Sequence, residues 1–226
     1  MIKSEHRSRH QRGERVSKTR RGSASAEARQ RTRDPKTARE ALILSAESIF
    51  NGEGYFATNS NVIAKKAGYA ASSFYTHFHD KLELFLTVYD RWVEGEWSAI
   101  RVAAESALRS GDFLHEAIAR LTAHHRKWRN FRTNLRALAA LEPSVRLAQN
   151  DQRRRQIGWL KELAAKQGWP VPSTTTGAFV LLTVERVLDA IAEDDADGLG
   201  ADSEDLKRTL TEILRNVLIP KRGTKS

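Results

Sequence analysis

From Leu42 to Leu218 the apolar residues recur at helical spacing, and no stretch alternates as a strand does between turn signals. This periodicity excludes sheet-based folds and predicts an all-α architecture. The five prolines, at 35, 143, 170, 172 and 220, all fall where a helix can begin or end. The pattern predicts about nine helices: three in an amino-terminal domain, then six forming a larger carboxy-terminal bundle.

Leu42, Ile43, Ala46, Ile49 and Phe50 place the first helix over about 37–51. Thr58 or Asn59 caps a short second helix that Gly68 ends, and a third spans about 71–78. Asp80 and Glu83 form a capping-box-like start to a long fourth helix, which runs to about residue 108 before Gly111-Asp112. Leu114, Ile118 and Leu121 mark a fifth helix, and Phe131, Leu135, Leu138 and Leu141 a sixth. Pro143 opens a seventh, to about residue 167. After the connector Trp169-Pro170-Val171-Pro172, Ser173 starts an eighth, and residues 193–205 read as an acidic loop. The last helix carries Leu206, Leu210, Ile213, Leu214, Val217 and Leu218.

Charge divides the chain differently. Residues 1–36 hold 12 Lys/Arg against 4 Asp/Glu, a net of +8, whereas 37–82 are neutral and 83–226 carry a net of +2. The opening segment has no Leu, Phe, Trp or Tyr, too little apolar surface to offset chain entropy, so it is expected to be a disordered basic arm. Such an arm condenses on DNA phosphate or enters a minor groove; a solvated tail that aids solubility is the alternative. The absence of cysteine excludes a disulfide framework, thiol catalysis and Cys-ligated metal, and fits a cytoplasmic protein. No apolar run approaches the roughly 18 residues that would span a bilayer, and the amino terminus lacks the apolar core of a secretory signal.

Residues 59–78 read NSNVIAKKAGYAASSFYTHF. Two short helices flank a tight turn at Gly68, and small residues lead into the second, the layout of a helix-turn-helix. With it stand Ala46, Phe50, Gly54-Tyr55, Thr58, Ile63-Ala64, Ala67-Gly68, Ser73-Phe74-Tyr75, His77-Phe78, Lys81 and Leu84. From Leu42 to Phe85 this set resembles the DNA-binding domain of the tetracycline-repressor (TetR) family. The resemblance implies phosphate contacts from Tyr75, His77 and Lys81. It places Thr58, Asn59 and Ser60 at a helix N-terminus that favours phosphate. Ala71, Ser72 and Ser73 lie where base edges are read, with side chains too small for rich direct readout. Arg33 of the arm joins the DNA-binding set. Two residues depart from the family pattern: Ala70 stands where a Ser or Thr cap is usual, and Tyr69 replaces a valine in the turn.

The resemblance also implies three domains: the arm (1–36), the helix-turn-helix domain (37–82) and an effector-binding and dimerisation domain (83–226). An apolar effector pocket is expected from Trp92, Trp97, Phe113, Leu121, Trp128, Phe131, Leu135, Phe179, Leu182 and Arg186. A dimer interface is expected from Phe179, Val187, Ile191, Leu210, Leu214 and Val217. The implied protein is a one-component transcriptional regulator, a repressor, with double-stranded DNA carrying a palindromic operator as its partner. It would act as a homodimer and be released by a small apolar or amphiphilic effector. It would be no enzyme and need no cofactor or metal. A nonspecific nucleoid-type protein using mainly the basic arm is the alternative; a helical carrier of small molecules is a further rival.

Other polar clusters read as ordinary surface. His77, His79 and Asp80 lack metal-site geometry, because His-x-His on a helix points its rings to different faces. Arg126, Lys127, Arg129, Arg132 and Arg136 are expected to form a solvated face, with an entry lined for an anionic effector such as an acyl-coenzyme A as the alternative, and Arg153, Arg154 and Arg155 are expected to be solvated. His124 and His125 are expected at the surface or on a pocket wall. Glu185 and Arg186 are expected to pair at an interface or to serve the pocket.

Overall fold

The computed structural model of the chain describes residues 35–110 and 112–219. Residues 1–34 of the expected arm, Arg33 included, lie outside them. Among the described residues there are ten helices and no strand, so the all-α expectation holds. In chain order they are α1 (Pro35–Gly52), α2 (Ser60–Lys66), α3 (Ala71–His77), α4 (Lys81–Ser110) and α5 (Phe113–Lys127). They continue with α6 (Arg129–Leu141), α7 (Pro143–Lys166), α8 (Thr174–Ala192), α9 (Asp195–Gly198) and α10 (Ser203–Leu218).

Helix ends follow local chemistry. α1 begins at Pro35, two residues before the expected start, because a proline suits the first helical position. α4 opens with a reciprocal capping box: Asp80 Oδ1 accepts from the Glu83 N–H at 2.8 Å, and Glu83 Oε2 accepts from the His79 N–H at 2.6 Å. The expected acidic loop is partly helical. α9 lies within it, Asp194 adopts left-handed φ of 62°, and Asp202 caps α10 by accepting from the Glu204 and Asp205 amides.

Two apolar cores form. The first joins α1–α3 (Leu42, Ile43, Ile49, Phe50, Ile63, Phe74) to the first half of α4 (Leu84, Phe85, Val88, Tyr89, Trp92) and to Phe131, Leu135 and Leu138 of α6. Phe85 stacks on Phe131 with centroids 4.8 Å apart and meets Phe50 at 5.3 Å. The three amino-terminal helices therefore share one interior with α4 and α6. Each such side chain contributes about 1.5–3 kcal/mol through burial. The second core gathers Leu114, Ile118 and Leu121 of α5, Val180, Leu188 and Ile191 of α8, and Leu210, Leu214 and Leu218 of α10.

Between the cores lies a buried ionic node, which corrects two expectations. His125, placed by sequence at the surface or a pocket wall, is fully buried. Its Nδ1 meets Asp189 Oδ1 and its Nε2 meets Glu96 Oε1, both at 2.9 Å. Arg132, expected on a solvated face, is 2% exposed and grips Asp189 with two bonds, Nε to Oδ1 at 3.1 Å and Nη2 to Oδ2 at 2.8 Å. Arg136 donates to Asp189 Oδ2 at 2.7 Å and pairs with Glu193. Arg153 pairs with buried Glu185 at 2.6 Å, so that arginine is no solvated residue either. These charges are inside because each has an opposite partner within hydrogen-bond reach.

Both ring nitrogens of His125 face carboxylate oxygens, which accept only, so both must donate and the ring is an imidazolium. Burial alone would favour the neutral ring, but the bonds to Asp189 and Glu96 outweigh it and raise the pKa above 6.5. A histidine held above its unfolded value stabilises fully below about pH 6.5, and that stabilisation is lost as pH rises through the folded value. His124 is shifted the opposite way by burial, so its influence lies below that window. We expect the unfolding free energy in urea to fall as pH rises from 6.5 towards 9, and His125→Gln to flatten that slope. Equal slopes in the two proteins would contradict the assignment.

Candidate functional site

Two sites emerge from these elements, a polar surface on α2 and α3 and an apolar cavity in the second core. α2 is short and depends on its cap: Asn59 Oδ1 accepts from the Asn61 and Val62 amides at 3.0 and 3.1 Å. Gly68, at φ +81°, makes the turn into α3 that a side chain would strain. Phe74 and Phe78 of the α3 segment bury into the first core, which fixes the opposite face outward. That face presents Ala71, Ser72, Tyr75 and Thr76, all exposed. Tyr75 is 59% exposed, and its hydroxyl lies 2.9 Å from Ser60 Oγ, which joins the start of α2 to α3 in one surface.

The expected contact residues do not all share this surface. Asn59, Ala71, Ser72 and Tyr75 are exposed on it, while Ser60, Ser73 and His77 are half-buried. Thr58 is buried, and its side-chain oxygen has no partner. Lys81 is turned inward: Nζ donates to the Tyr55 and Thr58 carbonyls at 2.8 and 2.7 Å and sits 3.9 Å from the Tyr55 ring centroid. Two of its three N–H bonds are thus spent holding the 55–58 loop, and burial lowers its pKa. Thr76 is the surface residue that sequence reading missed. One turn beyond Ser72, whose carbonyl its hydroxyl meets at 3.3 Å, it was legible from the helical period.

α6 ties this surface to the rest of the molecule. The Tyr55 N–H donates to Asn134 Oδ1 at 2.9 Å, the Phe131 N–H donates to Asn51 Oδ1 at 3.3 Å, and Asn51 Nδ2 donates to the Lys127 carbonyl at 2.6 Å. Gly54, at φ +93°, lets the chain pass here; a Cβ would stand 3.3 Å from the Asn134 amide. α6 also carries Arg132 and Arg136, so one helix holds both the ionic node and the amino-terminal helices.

The cavity measures about 100 Å³ and lies among α4, α5, α7, α8 and α10. Of the expected wall residues, Trp97, Phe113 and Leu121 line it. Trp92, Phe131 and Leu135 are instead buried in the first core, and Trp128 packs against it. Phe179 and Leu182 face outward, each 50% exposed, and Arg186 is exposed and pairs with Asp195 at 3.2 Å. The α8 stripe that does face the cavity is Gly177, Val180, Leu181 and Val184, joined by Trp169 and by Leu214 of α10. The expected interface needs correction too: Ile191, Leu210 and Leu214 are spent inside the second core, and Val187 and Val217 are half-buried beside it. Phe179 remains exposed, and Leu182 and Ile213 (39%) are exposed with it.

Residues 42–88 match the sequence profile of the family described as bacterial regulatory proteins, tetR family. An 80-residue stretch is 34% identical to the HTH-type transcriptional activator FasR of Mycolicibacterium smegmatis, over 35% of this chain and 36% of that protein. The chain thus matches little more than a third of the length of that relative. A TetR-family regulator from Rhodococcus sp. superposes with TM-score 0.65 at 16% identity, over 80% of this chain and 98% of that one. The fatty acid degradation regulator FadR of Bacillus halodurans superposes with TM-score 0.56 at 16% identity, over 78% of this chain and 93% of that one. These likenesses show that the fold extends through the whole helical body, and the resemblance to the TetR family holds.

Ala70 is the N-cap of α3, and no side-chain bond caps it. Restoring one tests the local account. Ala70→Ser should stabilise the protein by about 1 kcal/mol, a rise of roughly 2–4 °C in melting temperature for a chain of this size. An unchanged or lower melting temperature would show that α3 does not depend on its cap.

Proposed function

We propose that this chain, whose residues 42–88 carry the TetR-family match, is a one-component transcriptional regulator that binds a palindromic DNA operator as a homodimer and answers to a small effector. The observation that carries the reading is the outward face of α2 and α3, with Ala71, Ser72, Tyr75 and Thr76 exposed and half-buried Ser60 bonded to the Tyr75 hydroxyl. α3 enters the major groove there, Tyr75 and Ser60 donate to phosphate, and Ser72 and Thr76 meet base edges. Lys81 acts mainly by shaping the loop beside the phosphate, through its bonds to Tyr55 and Thr58. Such thin direct readout leaves much of the affinity to phosphate contacts, which the arm of net charge +8 supplies.

Dimerisation uses the exposed apolar side chains Phe179 and Leu182 of α8 and Ile213 of α10. Two recognition helices then address half-sites about one helical turn, roughly 34 Å, apart. The effector occupies the cavity and favours one of two arrangements of α4, which contributes to both cores. Occupancy of an operator over a promoter represses; an operator upstream of one supports activation, the activity that FasR's name gives to that relative.

The test is selection of bound fragments from genomic DNA at about 0.15 M salt, followed by footprinting; at that ionic strength weak nonspecific contacts are partly screened. A common palindrome with symmetric protection is expected. Fragments with no common sequence would contradict the operator and leave a nonspecific binder that uses its arm. On the selected operator, deleting residues 1–33 should weaken binding and flatten its dependence on salt; an unchanged salt slope would remove the arm from the interface.

A further inference from the structure

We infer that the effector is a neutral amphiphile, an alcohol on a medium-length hydrocarbon chain, whose chain fills the apolar cavity and whose hydroxyl lies between Asp112 and Arg215 in a polar pocket that adjoins it. The inference rests on the effector reading above and specifies its ligand.

The cavity by itself recognises hydrocarbon. Trp97, Phe113 and Trp169 stand among aliphatic side chains, and the surface open to the cavity is wholly apolar. A polar head inside it would lose its hydration and find no partner. A dry apolar cavity of about 150 Å³ accepts a benzene ring, and about 100 Å³ is on the scale of one ring or a short alkyl chain. A longer molecule with a polar end must therefore extend out of the cavity.

The space for that end is adjacent. A second pocket, of about 260 Å³, lies between α4, the start of α5 and the segments that follow α7 and α10. Phe113, Leu114 and Trp169 line both spaces. Phe113 and Trp169 meet with ring centroids 5.4 Å apart, and both are half-buried, so these are the side chains that a threading chain displaces. The Trp169 N–H donates to the Ala164 carbonyl at 2.9 Å, which fixes its backbone and leaves the ring to turn.

This outer pocket is polar, and its charges select the head. Among the described residues, the charged ones on its wall are Asp112 and Arg215. Arg215 Nη2 donates to the Asp112 oxygens at 3.0 and 2.9 Å, and both side chains stay nearly half exposed. Burial would raise the Asp112 carboxyl, but the His115 amide and Arg215 hold it below its usual value, so it is ionised. The two charges are thus matched before a ligand arrives. An anionic head would meet Asp112 as it drew on Arg215, and a cationic head would meet Arg215. A hydroxyl donates to the carboxylate and accepts from the guanidinium at one atom, with the pair left intact.

Titration of the full-length protein with 1-octanol, octanoate and octylammonium, read by calorimetry, tests this. The wild type should bind 1-octanol more tightly than either charged probe. Asp112→Asn keeps a residue able to cap α5 and leaves Arg215 unmatched. It should move the octanoate-to-octanol ratio toward octanoate by roughly two- to fivefold, the range of an exposed ion pair. Ala117→Leu, which fills the inner cavity, should weaken all three probes and keep their order. A charged probe binding tightest to the wild type, no binding of 1-octanol, or an unchanged ratio in Asp112→Asn would each overturn the inference. The wild-type order and Asp112→Asn decide the matter even if Ala117→Leu fails to fold. Operator binding measured alongside separates the two claims: an intact operator complex with no octanol binding overturns the ligand alone, and an absent operator complex overturns the regulator.

Discussion

Asp189 of α8 sits where three helices meet, and the arrangement of the molecule depends on how its charge is met. Its two oxygens receive His125 from α5 and both Arg132 and Arg136 from α6. Through His125 the same cluster reaches Glu96 on α4, and through Glu96 it reaches Gln156 on α7. Burial would raise the Asp189 carboxyl, but the bonds from His125 and Arg132 hold it well below the usual carboxylate range. Hydrophobic contact alone gives helices freedom to slide; charges that must find specific partners do not. The node therefore sets the register in which α4, α5, α6, α7 and α8 pack.

That register positions both functional surfaces. On one side Gln156 carries the end of the hydrogen-bonded chain into the cavity wall. On the other, α6 runs from Arg132 to Asn134 and Phe131, which hold the loop after α1 and enter the first core. Direct contacts lead from the cavity wall through Gln156, Glu96, His125 and Asp189 to Arg132, and α6 itself connects Arg132 to Asn134, which bonds Tyr55.

The helices were legible in the sequence because their apolar periods, prolines and caps agree; the capping box at Asp80 and Glu83 is one case where residue types and bonds coincide. The helix-turn-helix was legible because Gly68, the small residues after it and the buried aromatics fix its geometry together. Two things were hidden. α8 is apolar on several faces, so Phe179 and Leu182 could not be told from Val180 and Val184 without knowing which side meets α5 and α10. The node was hidden because charged residues read as solvated one at a time. A signal existed in the shared i,i+4 spacing of Arg132 with Arg136 and of Asp189 with Glu193, which lets two helices present matched pairs. Nothing in a single sequence says that those two helices touch.

The central claim is that the node holds the recognition domain through α6, and native-state hydrogen exchange tests it most directly. Asp189→Asn removes the charge that His125, Arg132 and Arg136 share, at a site bonded to α5 and α6. The account predicts that the Tyr55 amide, bonded to Asn134, and the amides of α1 exchange faster in the variant by a larger factor than those of α10. Acceleration confined to α8 and α10, with Tyr55 unchanged, would contradict it.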